Sequence, residues 1–320
     1  MKIGKIDIKR PISLAPMEDI SDTSFRLICK RLGADILYTE FTSCEALIRN
    51  AKTAFHKISI RDEERPIAIQ IFGSNPESMR EAAKVAESVG PDFIDINAGC
   101  WVRNLVNRGE GAGLLKDLKN FEKIVKAVVK ATSLPVTVKT RLGWDAENIV
   151  ILEVAKMVEA AGAKALTVHC RTRTQGYKGV ADWSWLPKIR KVIKIPLIGN
   201  GDIVTPADAK QVFDSGCDGI MIGRGAISNP WIFQQIKYFL DSGEYLPDAT
   251  FKERIELCLK HLKFSIDFKG ERRGVYDFKK YYAGYLREAP GSKRLRAELM
   301  QMKDSKKVEE RLRSVISIRI

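Results

Sequence analysis

Several features that mark common classes of protein are missing from this sequence of 320 residues. No apolar run approaches the roughly 18 residues that span a membrane, and residues 1–11 alternate charge with Ile where a signal peptide has an apolar stretch. The six cysteines form no CxxC pair, which argues against a zinc site and against a disulfide framework. We therefore expect a monomeric cytoplasmic protein that binds no metal and no membrane.

Positive charge is in excess and is unevenly distributed. The formal net charge is +14, in a chain that is 45% hydrophobic and 29% charged, as ordinary globular proteins are. Residues 1–250 have a net charge of +5, whereas residues 251–320 carry 19 basic and 10 acidic side chains, a net of +9. A basic segment beside a nearly neutral one predicts a polyanionic partner, with RNA or DNA the leading candidate. A lysine-rich bias that favours solubility is the alternative explanation.

Short runs of β-branched residues alternate with segments of helical periodicity as far as residue 230, and only helical segments follow. Eight parallel strands covered by helices predict an α/β fold, a (β/α)8 TIM barrel over residues 1–240. Residues 241–320 predict a small all-helical bundle domain with helices at 251–268, 274–289 and 293–317. The strands are predicted at 12–17, 36–41, 66–73, 93–99, 135–143, 165–170, 195–203 and 219–224.

The predicted strand ends carry chemically capable side chains, and in a barrel these ends converge on the face that holds the active site. Cys100 follows the strand at 93–99 and is therefore a candidate catalyst. With a cysteine pKa near ~8.5 it is mostly a protonated thiol at neutral pH and can donate a proton. If Arg103 and Arg141 lie close to it, they lower the pKa and favour a nucleophile instead. Taken singly, Lys139 is also explained as a solvated strand-end charge and His169 as a structural histidine.

The last two predicted strands end in small turns, Gly199–Asp202 and Gly223–Gly225. In barrels, backbone N–H groups at this position commonly hold a phosphate, and Arg224 adds a charge-assisted contact. Since neither a GxGxxG fingerprint nor a Walker A sequence is present, a mononucleotide cofactor or a phosphorylated substrate is favoured, and FMN fits. Lys139 is then expected beside the N1–O2 edge of the flavin, with Gln70 at its pyrimidine edge.

The motifs match those of a known family, and the chain resembles the tRNA-dihydrouridine synthases over nearly its full length. The order and barrel spacing of the motifs make this resemblance specific, and the helical tail with FKKYYAGYL (278–286) is similar to the family's RNA-binding domain. The other matching segments are APMEDISD (15–22), FRLICKRLGA (25–34), TEF (39–41), QIFG (70–73), DINAGC (95–100), VKTRLGW (138–144), VHCRTRTQGYKG (168–179), GNGDI (199–203) and MIGRGA (221–226).

The resemblance implies a barrel that holds FMN and a tail that binds tRNA. By this resemblance, we expect NADPH to reduce the FMN, and the reduced flavin to convert specific uridines in tRNA to 5,6-dihydrouridine by hydride transfer from flavin N5 to uracil C6. The cysteine of the family's NxGC motif, which protonates C5 as a general acid, falls on Cys100. The implied FMN contacts are Pro16, Met17, Gln70, Lys139, His169, Asn200, Gly201, Asp202, Gly223 and Arg224.

A second set of residues is predicted to contact the RNA. The family usually has proline after the catalytic cysteine, where this chain has Trp101, which either stacks on a base or is buried against the barrel rim. The basic residues of the tail are expected at phosphates, and the alternative for them is a solvated helix face. The predicted RNA contacts are Asn97, Trp101, Arg103, Arg141, Arg171, Lys279, Lys280 and Arg287, with Lys293, Arg294 and Arg296 also in the tail.

Three other functions stay open on the sequence. The first is the same chemistry on ribosomal RNA, which the change at Trp101 makes worth keeping. The second is a barrel flavoenzyme that reduces a free pyrimidine-type small molecule, against which the basic tail argues. The third is a non-catalytic RNA-binding protein on a degenerate barrel, against which the intact set of Gln70, Cys100, Lys139 and His169 argues.

Overall fold

The structure is a computed structural model that describes residues 1–287 and 291–317. A short antiparallel hairpin of β1 (Lys2–Ile3) and β2 (Ile6–Asp7) precedes a parallel sheet. The strands of that sheet are β3 (Ile12–Leu14), β4 (Leu37–Tyr38), β5 (Thr42–Ser43), β6 (Ile67–Phe72), β7 (Phe93–Ala98), β8 (Val136–Arg141), β9 (Ala165–His169), β10 (Leu197–Asn200) and β11 (Gly219–Ile222).

The parallel sheet closes almost completely on itself. The strands β4, β6, β7, β8, β9, β10 and β11 pair in chain order, and β11 pairs with β3. The remaining gap, between β3 and β4, is bridged where the N–H of Leu14 donates to the carbonyl of Ile36 at 3.0 Å, while β5 adds to β6. The prediction of a (β/α)8 barrel followed by a helical region is confirmed.

Helices cover the outside of this barrel and make up most of the described chain after its last strand. Those before the last strand are α1 (Thr23–Arg31), α2 (Cys44–Ile48), α3 (Lys52–Ile58), α4 (Pro76–Ser88), α5 (Arg103–Asn107), α6 (Leu118–Ala131), α7 (Ile151–Ala160), α8 (Trp185–Arg190) and α9 (Pro206–Asp214). Those after it are α10 (Arg224–Ser228), α11 (Ile232–Ser242), α12 (Phe251–Lys269), α13 (Glu271–Phe278), α14 (Tyr282–Tyr285), α15 (Ser292–Gln301) and α16 (Ser305–Ser317).

The inside of the barrel changes from apolar to polar along the strands. Near the N-terminal strand ends, Ala68, Phe93, Ala165, Ile198 and Met221 form a small buried core with residues of the β1–β2 hairpin. Successive side chains of a strand point to opposite faces, so the residues two and four positions further on also face inward. These are mostly polar, and they place the chemistry of the barrel at its C-terminal mouth: Gln70, Asp95, Asn97, Thr167, His169 and Asn200.

Two of the predicted helices in the tail differ from the structure. The predicted helix 293–317 is two helices, because the chain is extended at Met302 and α16 begins anew where the carboxylate of Asp304 accepts the N–H of Lys307 at 3.0 Å. The predicted helix 274–289 begins earlier, as α13, and turns through a 3-10 segment at Lys279–Tyr281 into α14. Positions 288 and 289 of that prediction lie outside the described residues.

The tail is docked on the segment between β3 and α1. Lys269 of α12 forms an ion pair with Asp22 at 2.6 Å, and the hydroxyl of Tyr281 donates to the carbonyl of Ile20 at 2.5 Å. Burial opposes the ionisation of Asp22, but Lys269 together with the other groups around the carboxylate outweighs it, so the pKa of Asp22 falls to about 2. His261 is buried in the same interface, where burial lowers its pKa to about 3, in line with a structural histidine. The division into domains at residues 240 and 241 stays a prediction.

Candidate active site

The C-terminal strand ends surround a cavity of about 490 Å³, a volume within the usual range for small-molecule sites. The residues that line it lie on or follow β3, β7, β8, β9, β10 and β11, with Phe41 from the segment after β4, which agrees with the predicted convergence of the strand ends. Thirteen of the predicted site residues lie in its wall: Pro16, Met17, Asn97, Cys100, Trp101, Lys139, Arg141, His169, Asn200, Gly201, Asp202, Gly223 and Arg224.

Cys100 lies half-buried in the cavity wall, just beyond the end of β7. Its loop is held by Asn97, whose side-chain oxygen accepts the N–H groups of Gly99 at 3.0 Å and of Cys100 at 2.9 Å. Burial raises the pKa of the Cys100 thiol above its ordinary value, and outweighs the N–H of Val102 and the charge of Arg141, which lower it. The thiol is therefore protonated at neutral pH and is suited to donate a proton.

Lys139 reaches into the cavity from β8, where its ammonium donates to the side-chain oxygen of Asn200 at 3.2 Å. The amide nitrogen of Asn200 donates in turn to the carbonyl of Met221 at 2.7 Å, which fixes the orientation of that amide. Burial, together with the positive charge of Arg141, lowers the pKa of Lys139 to about 8. The cavity wall thus holds a partly desolvated cation that an anionic or hydrogen-bond-accepting ligand would stabilise.

His169 is neutral in this environment. Burial, followed by the positive charges of Arg141 and Lys139, lowers its pKa well below the usual value. The guanidinium of Arg171 faces the Nε2 of His169 at 3.4 Å, and a guanidinium only donates. The Nε2 atom is therefore the acceptor, and the proton of the neutral ring is on Nδ1.

Asp202 joins two arginines on the side of the cavity formed by β10 and β11. Its oxygens lie 2.5 Å from Arg171 and 3.1 Å from Arg224. Burial opposes the ionisation of Asp202, but the hydrogen bonds from Arg171 outweigh it and its pKa is lowered. Asp202 and Gly201 both have left-handed φ angles, of 55° and 114°, so this turn is tightly constrained.

The rim of the cavity carries an aromatic pair next to Cys100. Trp101 is 37% exposed and Tyr177 51% exposed, and their rings meet edge to face at 5.5 Å. The guanidinium of Arg224 lies over the Tyr177 ring, 4.7 Å from its centroid. Trp101 also packs on Gly176, where an added Cβ would come within 3.3 Å of its ring. Trp101 thus combines packing on the rim with an exposed part, and a contact with RNA stays a prediction.

Two predicted ligand contacts, Gln70 and Arg171, make hydrogen bonds within the protein. Gln70 lies behind the cavity wall, where its amide bonds Asp95 at 2.6 Å and Asn97 at 2.9 Å, so it is not exposed to the cavity. Arg171 was expected at the RNA, but it is 2% exposed and its guanidinium holds Asp202 and the carbonyls of a neighbouring loop. Arg141 does line the cavity, and it also donates to the carbonyl of Gly99 at 2.8 Å.

The other predicted RNA contacts lie outside the cavity. Arg103 is exposed on α5, and Arg287 is partly buried after α14. The ammonium of Lys279 donates to the carbonyl of Met300 at 2.5 Å. That of Lys280 donates to the carbonyl of Asp19, so Lys280 helps to dock the tail on the barrel and is less available to a phosphate than the sequence suggests.

Asp95, Thr137 and Tyr177 are residues of this site that the sequence analysis missed. Asp95 stands two positions before Asn97 on the same strand, so the alternation of β7 already places both side chains inside the barrel. Thr137 has the same relation to Lys139 on β8. Tyr177 is in a loop, where no periodic signal exists.

Three carboxylates lie together near the cavity mouth: those of Glu18, Asp19 and Glu40 have oxygens within 4.8 Å of one another. Glu40 accepts the N–H of Asp19 at 2.6 Å, and Lys57 pairs with Glu18. The expected absence of a metal stays a prediction. Among the described residues, no helix is long and apolar enough to span a membrane.

Comparison with known proteins agrees with the geometry of this site. A probable tRNA-dihydrouridine synthase of Rickettsia bellii is 37% identical over 314 residues, which cover 98% of this chain and 96% of that protein. The tRNA-dihydrouridine synthase B of Pseudomonas putida is 38% identical over 307 residues, covering 95% of this chain and 91% of that protein.

A solved structure of an old yellow enzyme homologue from Zymomonas mobilis has a TM-score of 0.50 at 16% identity, covering 78% of this chain and 93% of that one, and so supports the barrel fold alone. The family model described as "Dihydrouridine synthase (Dus)" matches residues 13–319. With nearly the whole chain matched by this family model, and with relatives of this name along its length, the chain belongs to the dihydrouridine synthase family.

Proposed function

We propose that this enzyme is an FMN-dependent tRNA-dihydrouridine synthase that uses NADPH as reductant in the cytoplasm. The observation that carries the proposal is a protonated thiol, Cys100, in the wall of the same cavity as the cationic Lys139 and the neutral His169. The names of the relatives in Rickettsia and Pseudomonas support tRNA as the substrate.

The residues of the cavity fit FMN. Lys139 is a cation that donates to the uncharged side chain of Asn200, and it would stand near the flavin ring with His169, Pro16 and Met17. A side chain at Gly201 would lie 2.8 Å from the His169 ring, so backbone alone is tolerated there. When bound, FMN would carry hydride from NADPH to C6 of the uracil. The phosphate would be held by Gly201, Asn200, Gly223 and Arg224, with Asp202 fixing the guanidinium of Arg224.

Cys100 would then supply the proton that completes the reduction. Its raised pKa keeps the thiol protonated across the neutral range, as a general acid at uracil C5 requires. Arg141 fixes the loop of Cys100 through the carbonyl of Gly99, so the thiol is held toward the cavity. A uridine stacked in a duplex cannot reach this depth, and the target must be looped out or unstacked.

The RNA would be bound across the mouth by the barrel and the tail together. We propose that residues 1–240 form the catalytic domain and that residues 241–320 bind the RNA, because residues 251–320 carry a net charge of +9 out of the total of +14. On the barrel side, Trp101 and Arg103 would face the nucleotides around the target, and Asn97 would face the target uridine itself. In the tail, Lys279, Arg287, Lys293, Arg294 and Arg296 remain the candidates for phosphate contact, with Lys280 partly engaged in docking.

The decisive test is anaerobic flavin reoxidation. The protein is reduced with NADPH and mixed with unmodified tRNA, ribosomal RNA fragments or uridine monophosphate. Rapid reoxidation by tRNA alone is expected. Reoxidation by ribosomal RNA alone would mean that the substrate is ribosomal RNA and not tRNA. Reoxidation by the mononucleotide alone would contradict the RNA-binding role proposed for the tail.

The thiol is tested in the same assay. Cys100→Ala should keep bound flavin and its reduction by NADPH, but should lose dihydrouridine formation by roughly 10²- to 10⁴-fold, the usual contribution of general acid catalysis. Cys170→Ala is the matched control, because Cys170 is a buried cysteine directly after His169 whose side chain packs in the outer core. Product formation by Cys100→Ala at the wild-type rate would reduce Cys100 to a packing residue.

A further inference from the structure

A chain of buried hydrogen bonds runs behind the cavity wall from β8 to the loop of Cys100. Asp95 accepts from the hydroxyl of Thr137 with one carboxylate oxygen, and from the amide nitrogen of Gln70 at 2.6 Å with the other. The amide oxygen of Gln70 accepts from the amide nitrogen of Asn97 at 2.9 Å. The oxygen of Asn97 accepts the backbone N–H of Cys100 at 2.9 Å.

The two ends of this chain impose the same direction on both amides. An ionised carboxylate only accepts, so Gln70 must turn its NH2 group to Asp95 and its oxygen to Asn97. A backbone N–H only donates, so Asn97 must turn its oxygen to the loop of Cys100. Flipping either amide would place donor against donor at one contact and acceptor against acceptor at another.

The fixed direction leaves one group for a ligand. Asn97 lines the cavity, and its amide nitrogen uses one hydrogen for Gln70. The other hydrogen has no acceptor among the described residues. Asn97 therefore offers a donor, not an acceptor, three residues before Cys100.

Asp95 is a buried carboxylate that is unfavourable for the stability of the barrel. It is fully buried, no side-chain cation pairs with it among the described residues, and its two contacts are with uncharged groups. Desolvation raises its pKa to about 6, although Gln70, Thr137 and the charge of Lys139 lower it. A buried charge without a partner lowers the stability of the fold. We therefore look for the role of Asp95 in the side chains that it orients.

We propose that Asp95 is a positioning residue that fixes the amide of Asn97 with its N–H toward the cavity, where it donates to a carbonyl oxygen of the uracil beside Cys100. The inference rests on the proposed function, because it takes uracil as the ligand. Asp95 itself touches neither the uracil nor the thiol and acts through Gln70.

The test compares two substitutions at this position. Asp95→Leu removes the acceptor for Gln70 and should slow tRNA-driven flavin reoxidation roughly 10- to 100-fold, the cost of a misplaced contact near the reacting atoms. The loss should be in kcat, with KM for tRNA nearly unchanged, since phosphates supply most of the binding. Asp95→Asn keeps an oxygen for Gln70 while the hydroxyl of Thr137 accepts instead of donating, so it should restore the rate to within a few-fold.

Different results would contradict the positioning role of Asp95 and the proposed function. If folded Asp95→Leu reoxidises at the wild-type rate, or if Asp95→Asn loses as much as Asp95→Leu, the positioning role is wrong. If Asp95→Leu does not fold, Gln70→Met breaks the same chain one step later and should show the same loss in kcat. A wild-type protein that reduces with NADPH but is never reoxidised by tRNA would instead overturn the proposed function, before any variant is compared.

Discussion

Lys139→Met should make the flavin-free protein more stable at neutral pH while weakening its hold on FMN. Lys139 is a buried cation whose side chain donates to the uncharged Asn200. Its pKa is lowered from 10.5 to about 8, mainly by burial. At about 1.36 kcal/mol per pKa unit, this shift corresponds to about 3 kcal/mol against the charged form. Because the side chain keeps some exposure to the cavity, we reduce this to about 2 kcal/mol.

The substitution also removes the hydrogen bond from Lys139 to Asn200, which returns about 1 kcal/mol. The expected net gain is therefore about 1 kcal/mol at pH 7. The folded pKa lies below the unfolded one, so the penalty is complete below about pH 8 and fades as the pH rises toward 10.5. The wild-type protein should accordingly gain most of 2 kcal/mol from this group between about pH 7 and pH 10, and the variant should not.

Urea unfolding of the flavin-free proteins at the two pH values measures this difference. Lys119→Met, which removes an exposed lysine on α6, serves as the control and should leave the difference unchanged. Titration with FMN should show wild-type affinity falling above about pH 8, with no such fall in Lys139→Met, because the N1–O2 edge of the flavin accepts hydrogen bonds and favours the protonated lysine. A stability difference between wild type and Lys139→Met that is equal at both pH values would refute the reasoning.

Two further predictions concern the turn at Gly201 and the buried ion pair between Arg26 and Glu64. Gly201→Ala should lower FMN affinity at least roughly tenfold in a flavin titration, because the added Cβ would lie 2.8 Å from the His169 ring at a φ of 114°. Gly90→Ala, also at positive φ but with open space around it, should leave affinity unchanged, and an equal loss there would contradict the steric argument. Arg26→Leu should cost about 3–5 kcal/mol in urea unfolding, because it leaves the buried Glu64 carboxylate without its 2.6 Å partner. A cost under about 1 kcal/mol would contradict this.

The barrel could be predicted because its strands repeat a simple local pattern. Each is a run of buried, mostly β-branched residues that ends in small or polar residues, and the structure keeps all eight while ending several of them earlier than predicted. The strand predicted at 195–203, for example, spans only Leu197–Asn200. Convergence of the strand ends followed from parallel closure alone, so most of the cavity wall could be named from the sequence.

Which polar residue faces the ligand and which supports it could not be read in the same way. Gln70 and Asp95 are 25 residues apart in the chain, and Lys280 and Asp19 are 261 apart. Composition does not distinguish an amide that binds a flavin from one that orients its neighbour, since both need the same donor and acceptor. Only the folded barrel reveals these partners.

The docking of the tail has a consequence for how such enzymes could be redesigned. The segment between β3 and α1 forms one wall of the cavity through Pro16 and Met17, and the tail holds the same segment through Tyr281 and Lys269. To change which uridine is reduced, one could graft the tail of another synthase. Such a tail would lack the contacts that hold this segment in place. Under the proposed function, a working chimera has to transplant the wall segment together with the tail, because RNA binding by the tail and FMN binding at the wall would depend on the same contacts.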